Sequence, residues 1–491
     1  MKNSIQTFNS TIERYPSILL LLGVITMTLS HLSYQIDWLA WISMVPFLYY
    51  LRITKGRNTR LLFALSLVVA WSLIVLKIIS EPIPYFFLFL YSIPIALIHL
   101  PGYLIWDRWK HQQLSFLIFP AMMTLLEWIQ YTYTPLASWG AAAYTQVDSP
   151  VILQFVSLFG MPGLSFLIYL INILLVDVMY NQSPKIWKIS GIAMTIVSLI
   201  LFGTIRLSVA ANPTDESIKV AAVGTDSTVG GLPLPSEEEN VKHIEGVLSR
   251  TATAAQEGAK IIVWNEAAFV LQSGNEPMWL ERFRAEASRL QVTLVASYVK
   301  VVSSDPLRFE NKYVMIDPSG QAVETYLKHQ PVPGEPAIQG QTPLSVYQIG
   351  GVNLGGAICY DYDFPYLANG YGELQADIVA VPSSDWKGID PLHTQMAAFR
   401  AIEQGHSVLR STRFGLSAGI NPYGELVDTM SSFDDNNKIM ITELPVKGKG
   451  TFYARIGDTF IYAIIFFLFV FAFKYYVFSE SAIRVKRTVM S

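Results

Sequence analysis

Apolar residues follow two different patterns along this chain. Over the first 205 residues, and again near the C-terminus, they form long runs with few charges. About 20 such residues in a helix cross the hydrocarbon core of a bilayer. Eight runs meet or approach that length: 16–35, 37–51, 61–80, 84–106, 114–133, 163–181, 187–205 and 458–478. The second is short enough to be tilted or partly interfacial. The first has no small-residue cleavage site after it, which predicts a retained span. Between 206 and 457 the pattern changes to short β-branched runs alternating with longer helical periods. Strands are predicted at 217–223, 260–264, 292–299, 311–316, 323–327, 352–358, 377–381, 406–411, 416–420 and 438–443, and helices at 236–257, 276–290 and 391–405. Ser236-Glu-Glu-Glu239 reads as a capping box, and Asp390-Pro391 as an N-cap and first turn. Asp317-Pro-Ser-Gly320 and Asn421-Pro-Tyr-Gly424 are turn signals between strands. The pattern predicts a layered α/β unit with sheets covered by helices.

Composition sharpens this division. Only 15% of the 491 residues are charged and 52% are hydrophobic, which excludes a disordered chain and argues against an ordinary soluble enzyme. The net charge of −3 gives no footprint for nucleic acid. Basic residues recur in every second loop: Lys2 and Arg14; Arg52, Lys55, Arg57 and Arg60; Arg108 and Lys110; Lys185 and Lys188; Arg484, Lys486 and Arg487. The loop near 36 and the stretch 134–162 have none. The positive-inside rule then predicts both termini in the cytoplasm and 206–457 on the outer side. The expected organisation is a membrane unit over 1–205 with seven spans, an outer unit over 206–457, and an eighth span with a tail over 458–491. Lys77, Glu127 and Asp177 lie near the ends of their runs, where snorkelling to the headgroups is cheap.

The chemistry gathers behind three predicted strands. Glu266 follows Lys260-Ile-Ile-Val-Trp264, Lys328 follows Glu324-Thr-Tyr-Leu327, and Cys359 follows Leu354-Gly-Gly-Ala-Ile358. Sites in α/β sheets favour the carboxyl ends of strands. A thiolate attacks acyl carbons, a carboxylate can take and return its proton, and a fixed ammonium can stabilise an oxyanion. Singly, each residue reads as a buried small side chain or a solvated strand end. The glycines before Cys359 would permit a tight elbow. A free thiol in an exported unit is exposed to oxidation and wants a reason. With one cysteine there is neither a disulfide nor a cysteine cluster for zinc. The seven histidines show no ligand spacing, and no phosphate-binding glycine loop is present. Neither metal nor cofactor is expected.

These residues carry a resemblance. Trp264-Asn-Glu266, Lys328 with Pro333-Gly-Glu335, and Gly356-Ala-Ile-Cys-Tyr-Asp361 resemble the three motifs of the nitrilase (carbon–nitrogen hydrolase) superfamily. Pro382-Ser-Ser-Asp-Trp386, Arg400-Ala-Ile-Glu403 and Arg410-Ser-Thr412 fit the same pattern. Such a unit set between seven spans and an eighth resembles the bacterial apolipoprotein N-acyltransferases. Tyr144-Thr-Gln146, Asp148-Ser-Pro150 and Gly160-Met-Pro-Gly-Leu-Ser-Phe166 resemble that family's membrane part.

The resemblance implies an αββα sandwich on the periplasmic side of the inner membrane. It implies acyl transfer from a phospholipid, with phosphatidylethanolamine the expected donor, through a Cys359 thioester to the free α-amine of a diacylglyceryl lipoprotein. Glu266 would be base then acid, and Lys328 would stabilise the tetrahedral intermediates with the backbone N–H of Tyr360. Glu335 and Asp361 would support the site, and Trp264, Phe364, Tyr366 and Trp386 are candidate lid or substrate contacts. The loop after Lys328, His329-Gln-Pro-Val-Pro-Gly-Glu335, is one residue shorter than the acyltransferase pattern, and Cys359-Tyr-Asp-Tyr-Asp-Phe-Pro365 is nearer to soluble amidases. A membrane-tethered amidase and an inactive nitrilase-like scaffold are the alternative readings.

Overall fold

The computed structural model describes residues 14–32, 36–180, 186–210, 216–225, 227, 234–446, 448 and 450–489. Lys2 and Lys185 lie outside them. The helical part comprises Ser17–Ser30, a 3₁₀ turn Asp37–Trp41, Val45–Ile53, Arg57–Leu76, Phe87–Trp109, Ser115–Tyr133, Val156–Tyr180 and Ile186–Ala210, joined at the far end of the chain by Thr459–Val489. Four of these, at 57–76, 87–109, 156–180 and 186–209, are long and apolar enough to cross a membrane; 17–30 and 459–475 are shorter apolar helices. They turn large apolar side chains outward: Ile186 is 74% exposed and Phe466 is 69% exposed. Faces of that kind mark contact with a non-aqueous partner or solvent.

The three charged residues near the ends of the apolar runs find partners within the protein. Glu127 is buried and accepts hydrogen bonds from the Ala142 N–H (2.8 Å) and the Tyr169 hydroxyl. Asp177 pairs with Lys188, and the Lys77 ammonium donates to the His31 carbonyl. Glu127 and Asp177 thus meet partners that offset the cost of leaving water, while Lys77 meets a neutral carbonyl.

The α/β part is two sheets packed face to face. The first has the order β13-β1-β2-β4-β5-β6, with β1 at Ser217–Val223, β2 at Ile261–Trp264, β4 at Thr293–Ser304, β5 at Leu307–Ile316, β6 at Ala322–Leu327 and β13 at Ile439–Pro445; β3, Val270–Gln272, adds to β4. The second has the order β12-β11-β10-β9-β8-β7, with β7 at Tyr347–Ile349, β8 at Val352–Gly356, β9 at Ile378–Ser384, β10 at Ser407–Arg413, β11 at Leu416–Ile420 and β12 at Leu426–Ser431. Strands β1, β2 and β4 are parallel, as are β8, β9 and β10.

Strand alternation builds the layers. Val220, Ala222, Ile261 and Val263 face Leu354, Ile378, Ala380 and Leu409 between the sheets. Ala221, Ile262 and Trp264 face the opposite way, onto helices Glu237–Gln256 and Glu276–Leu290. Helices Pro365–Glu373 and Leu392–Gln404 cover the second sheet. The resulting order of layers is α-β-β-α.

The capping box at Ser236 forms as predicted, with the Glu239 N–H donating to the Ser236 hydroxyl at 3.2 Å. Asp390 does not cap its helix: Pro391 occupies the N-cap position and no side chain closes it.

The two parts meet through charged side chains. Helix 392–404 lies on helix 156–180, and Arg400 and Glu403, both fully buried, pair at 2.8 Å. Glu403 also accepts the Met161 N–H at 2.6 Å, and Arg400 reaches the Tyr144 hydroxyl at 3.3 Å. Gly160, at φ +64°, bends the 156–180 helix here against the Tyr453 ring. Removing one member strands the other charge. Arg400→Met is therefore expected to destabilise the protein by about 3–5 kcal/mol in thermal or denaturant unfolding, and Arg400→Met/Glu403→Gln to recover much of that loss.

Candidate active site

Each proposed reactive residue sits just past the carboxyl end of a strand. Glu266 comes two residues after β2, Lys328 directly after β6, and Cys359 three after β8. Strand β6 returns antiparallel from β5, which is antiparallel to β4, so its end shares the edge at which β2 and β4 finish. Packing the sheets then brings all three together. Glu266, Lys328 and Cys359 are 4%, 2% and 4% exposed.

The Lys328 ammonium lies 2.8 Å from Glu266 Oε1 and 3.0 Å from Glu335 Oε2. Asn311, which the sequence reading missed, donates its amide to both carboxylates, at 2.7 Å to Glu266 and 2.8 Å to Glu335. The Val332 N–H donates to Glu335 at 2.9 Å. Burial opposes the Lys328 charge, but the two carboxylates outweigh it and hold its pKa well above the usual lysine value. Burial likewise opposes the Glu335 charge, and Lys328 reverses the balance, leaving its carboxyl below the ordinary range.

Cys359 is itself the elbow. Its backbone adopts φ +48°, the left-handed region that costs a residue with a Cβ about 1–3 kcal/mol. The glycines before it serve another purpose than the one expected. Neither Gly355 nor Gly356 has positive φ; a Cβ on Gly355 would lie 2.6 Å from the Tyr371 ring and one on Gly356 2.5 Å from the Tyr313 hydroxyl. They make room for tyrosines, and the strain falls on the nucleophile. Its Sγ lies 3.6 Å from the Ser384 carbonyl oxygen. Burial, and then the Glu266 charge, push the thiol pKa well above its usual value despite Lys328 and Arg410. These surroundings favour the neutral thiol over the thiolate.

Asp361 braces the turn after Cys359. Its carboxylate accepts from the Gln330 N–H (2.6 Å), the Tyr326 hydroxyl (2.9 Å) and the Ile358 N–H (3.1 Å). Burial raises its pKa to about 6. Tyr360 donates its hydroxyl to the Pro135 carbonyl in the helical part.

The aromatic candidates separate. Trp264 is fully buried on the helix-facing side of the first sheet, edge-on to Phe269 and Phe283, with its indole N–H on Thr251 at 2.9 Å. It is a core residue and does not line the pocket at Cys359. Phe364 is buried edge-on to Tyr360, while Tyr366 is 44% exposed and accepts from Gln330 at 2.7 Å. Trp386 lines the pocket at Cys359 and donates to the Ile78 carbonyl at 2.7 Å. That pocket, a cavity of about 110 Å³, lies between helical-part residues such as Trp71, Tyr91 and Trp139 and site residues Cys359, Tyr360 and His393.

A second buried cluster borders Cys359. His393 Nδ1 donates to Asp385 at 2.7 Å and Nε2 to Asp363 at 2.9 Å, while Arg410 donates to Asp385 at 2.8 Å. Asp363 also accepts the Trp139 indole N–H at 2.8 Å, and its carbonyl accepts the Ser138 hydroxyl at 2.6 Å. The cluster thus ties the 134–141 loop to the second sheet. Donor atoms of Cys359, Asp385 and His393 lie within 4.8 Å of one another, a spacing a cation could use. The Arg410 guanidinium already supplies positive charge there, 2.8 Å from Asp385 and 2.9 Å from His393 Nδ1, and a metal ion would have to displace it.

Burial disfavours the His393 cation, but Asp363 and Asp385 raise its pKa to about 9. This stabilisation is complete below the ordinary histidine value of 6.5 and is lost as pH rises through 9. Wild type is expected to lose on the order of 3 kcal/mol from this group between pH 6 and 10. The neutral variant His393→Asn should start lower and show a flatter profile in thermal melts.

A family model for the apolipoprotein N-acyltransferase N-terminal domain matches residues 23–174, and one for carbon-nitrogen hydrolase matches 219–450. The chain is 24% identical over 389 residues to an apolipoprotein N-acyltransferase of Geobacter metallireducens, covering 73% of this chain and 74% of the relative. It is 26% identical over 423 residues to one from Bradyrhizobium diazoefficiens, covering 75% and 77%. Among solved structures, an amidase from Nesterenkonia sp. aligns at 18% identity with a TM-score of 0.41, covering 50% of this chain and 95% of the amidase. With one model matched by its helices and the other by its sandwich, the chain belongs to the apolipoprotein N-acyltransferase family, a membrane-type branch of the carbon–nitrogen hydrolases.

Proposed function

We propose that this protein moves a fatty acyl chain from a membrane phospholipid to the N-terminal amine of a diacylglyceryl-modified lipoprotein. The observation that carries the reading is the pocket at Cys359, walled by apolar residues from both the helical part and the sandwich. Such a pocket suits a substrate that arrives from a bilayer. Glu266 takes the thiol proton as Sγ attacks the ester carbonyl of the donor, and Lys328 offsets the charge that develops on oxygen, aided by the Tyr360 backbone N–H. The C–O bond then breaks, Glu266 returns the proton to the departing lysophospholipid, and an acyl thioester remains on Cys359. The acceptor amine attacks the thioester carbonyl, Glu266 takes the amine proton, the C–S bond breaks as the amide forms, and Glu266 returns the proton to sulfur to restore the thiol.

The eight apolar segments are the spans in this reading, seven in 1–205 and one in 458–491. Both termini are cytoplasmic, and 206–457 lies on the periplasmic face of the bacterial inner membrane. Phosphatidylethanolamine is the proposed donor.

The purified protein, given ester phospholipid and a synthetic diacylglyceryl-cysteine peptide, should yield lysophospholipid and a peptide heavier by one acyl group. Release of free fatty acid with the peptide unchanged would instead establish a hydrolase.

A further inference from the structure

We infer that Lys77 forms a subsite for a phosphate anion at the pocket that holds Cys359. The inference rests on the acyl-transfer reading and adds how the donor is recognised. Lys77 ends helix 57–76 and lines the same pocket as Cys359. Its neighbours there are apolar, among them Trp71, Ile74 and Ile78. An ammonium in such surroundings needs a counter-charge. Among the described residues no carboxylate pairs with it, and its one partner is the His31 carbonyl. That uses one of three N–H donors.

The other basic groups lining the pocket are occupied. His393 is held between Asp363 and Asp385, and His31 lies against Ser30 and Met27 at 3.0 Å. Lys77 is also fixed in place relative to the reactive residue. The next residue, Ile78, accepts the Trp386 indole N–H at 2.7 Å, and Trp386 follows by two positions the Ser384 carbonyl that meets Cys359 Sγ. The pocket therefore presents a nucleophile and an uncompensated cation separated by apolar walls. A phosphate ester with acyl chains has the matching arrangement: a carbonyl carbon, an anionic group a few bonds away, and hydrocarbon around both.

The test is equilibrium binding in detergent with two uncleavable lipids, a dialkyl-ether phosphatidylethanolamine and the corresponding neutral dialkylglycerol. Binding of either needs no acyl transfer. In Lys77→Met the preference for the phosphate-bearing lipid should fall about 10- to 100-fold relative to wild type, the effect of losing a charge-assisted hydrogen bond. Lys77→Arg should recover most of it. Competition by millimolar inorganic phosphate would show that the site also takes the free anion, and its absence that the headgroup must be delivered by the lipid; both fit a phosphate subsite. An equal loss for both lipids would reduce Lys77 to a cap on helix 17–30 and overturn the inference, as would no loss for either. Acyl transfer from ester phospholipid to Cys359, followed in parallel, reports separately on the function proposed above.

Discussion

Cys359→Ala is expected to lower acyl transfer by roughly 10⁴-fold or more while leaving the fold intact, because the reading gives the sulfur the only covalent role. The substitution keeps a Cβ at φ +48°, so backbone strain is unchanged, and it removes a single long contact to the Ser384 carbonyl. Thermal unfolding should therefore move little. A further consequence follows from the charges around the thiol. Burial and Glu266 keep it protonated, so without substrate the sulfur should react slowly with iodoacetamide at neutral pH and faster only as pH rises well above the range of free thiols. A rapid reaction at pH 7 would indicate a resting thiolate and would remove the need for Glu266 as base.

Lys328→Met is expected to have the second-largest effect, in two separable parts. The ammonium neutralises Glu266 and Glu335 from 2.8 and 3.0 Å, and is itself buried. Its loss leaves the buried Glu266 and the part-buried Glu335 carboxylates facing each other through Asn311, at a cost of about 3–5 kcal/mol in stability. It also removes the cation assigned to the developing oxyanion, a loss of roughly 10²–10³ in kcat. Lys328→Met/Glu335→Gln eliminates one of the stranded charges. The double variant should regain stability in unfolding experiments yet remain as slow as the single one. If its activity returned together with stability, Lys328 would be a structural ion and not a catalytic residue.

The positions behind strand ends were the most legible part of the chain. Ten runs predicted strands near residues where strands form, and Glu266, Lys328 and Cys359 follow three of them, so each was placed at a strand's carboxyl end; the strand order and sheet packing that bring the three together were not readable. The strands β3, β7 and β12 were not foreseen; β3 and β7 span three residues each, too few for a period to show. Helix Pro365–Glu373 contains two glycines and a proline and gave no helical signal. Trp264 was misplaced for a reason that strand parity could have supplied: it shares a face with Ile262, pointing to the covering helices, while Val263 points between the sheets. Asp363, Asp385 and Arg410 of the second cluster stand in motifs the sequence singled out, but their joining with His393 was not readable: the four come from separate segments of the chain, and only folding makes them neighbours. Glu127 deceived in the other direction, since a charge near a run's end suggests an exposed headgroup contact and here finds internal hydrogen bonds instead.

The central claim is that Cys359 carries an acyl group drawn from a phospholipid. Intact-protein mass spectrometry after incubation with ester phospholipid, and without acceptor, addresses it directly. The predicted result is a mass increase of one fatty acyl chain, mapped to the Cys359 peptide, removed by hydroxylamine and absent from Cys359→Ala. An unmodified Cys359 in protein that nonetheless acylates the acceptor peptide would contradict it.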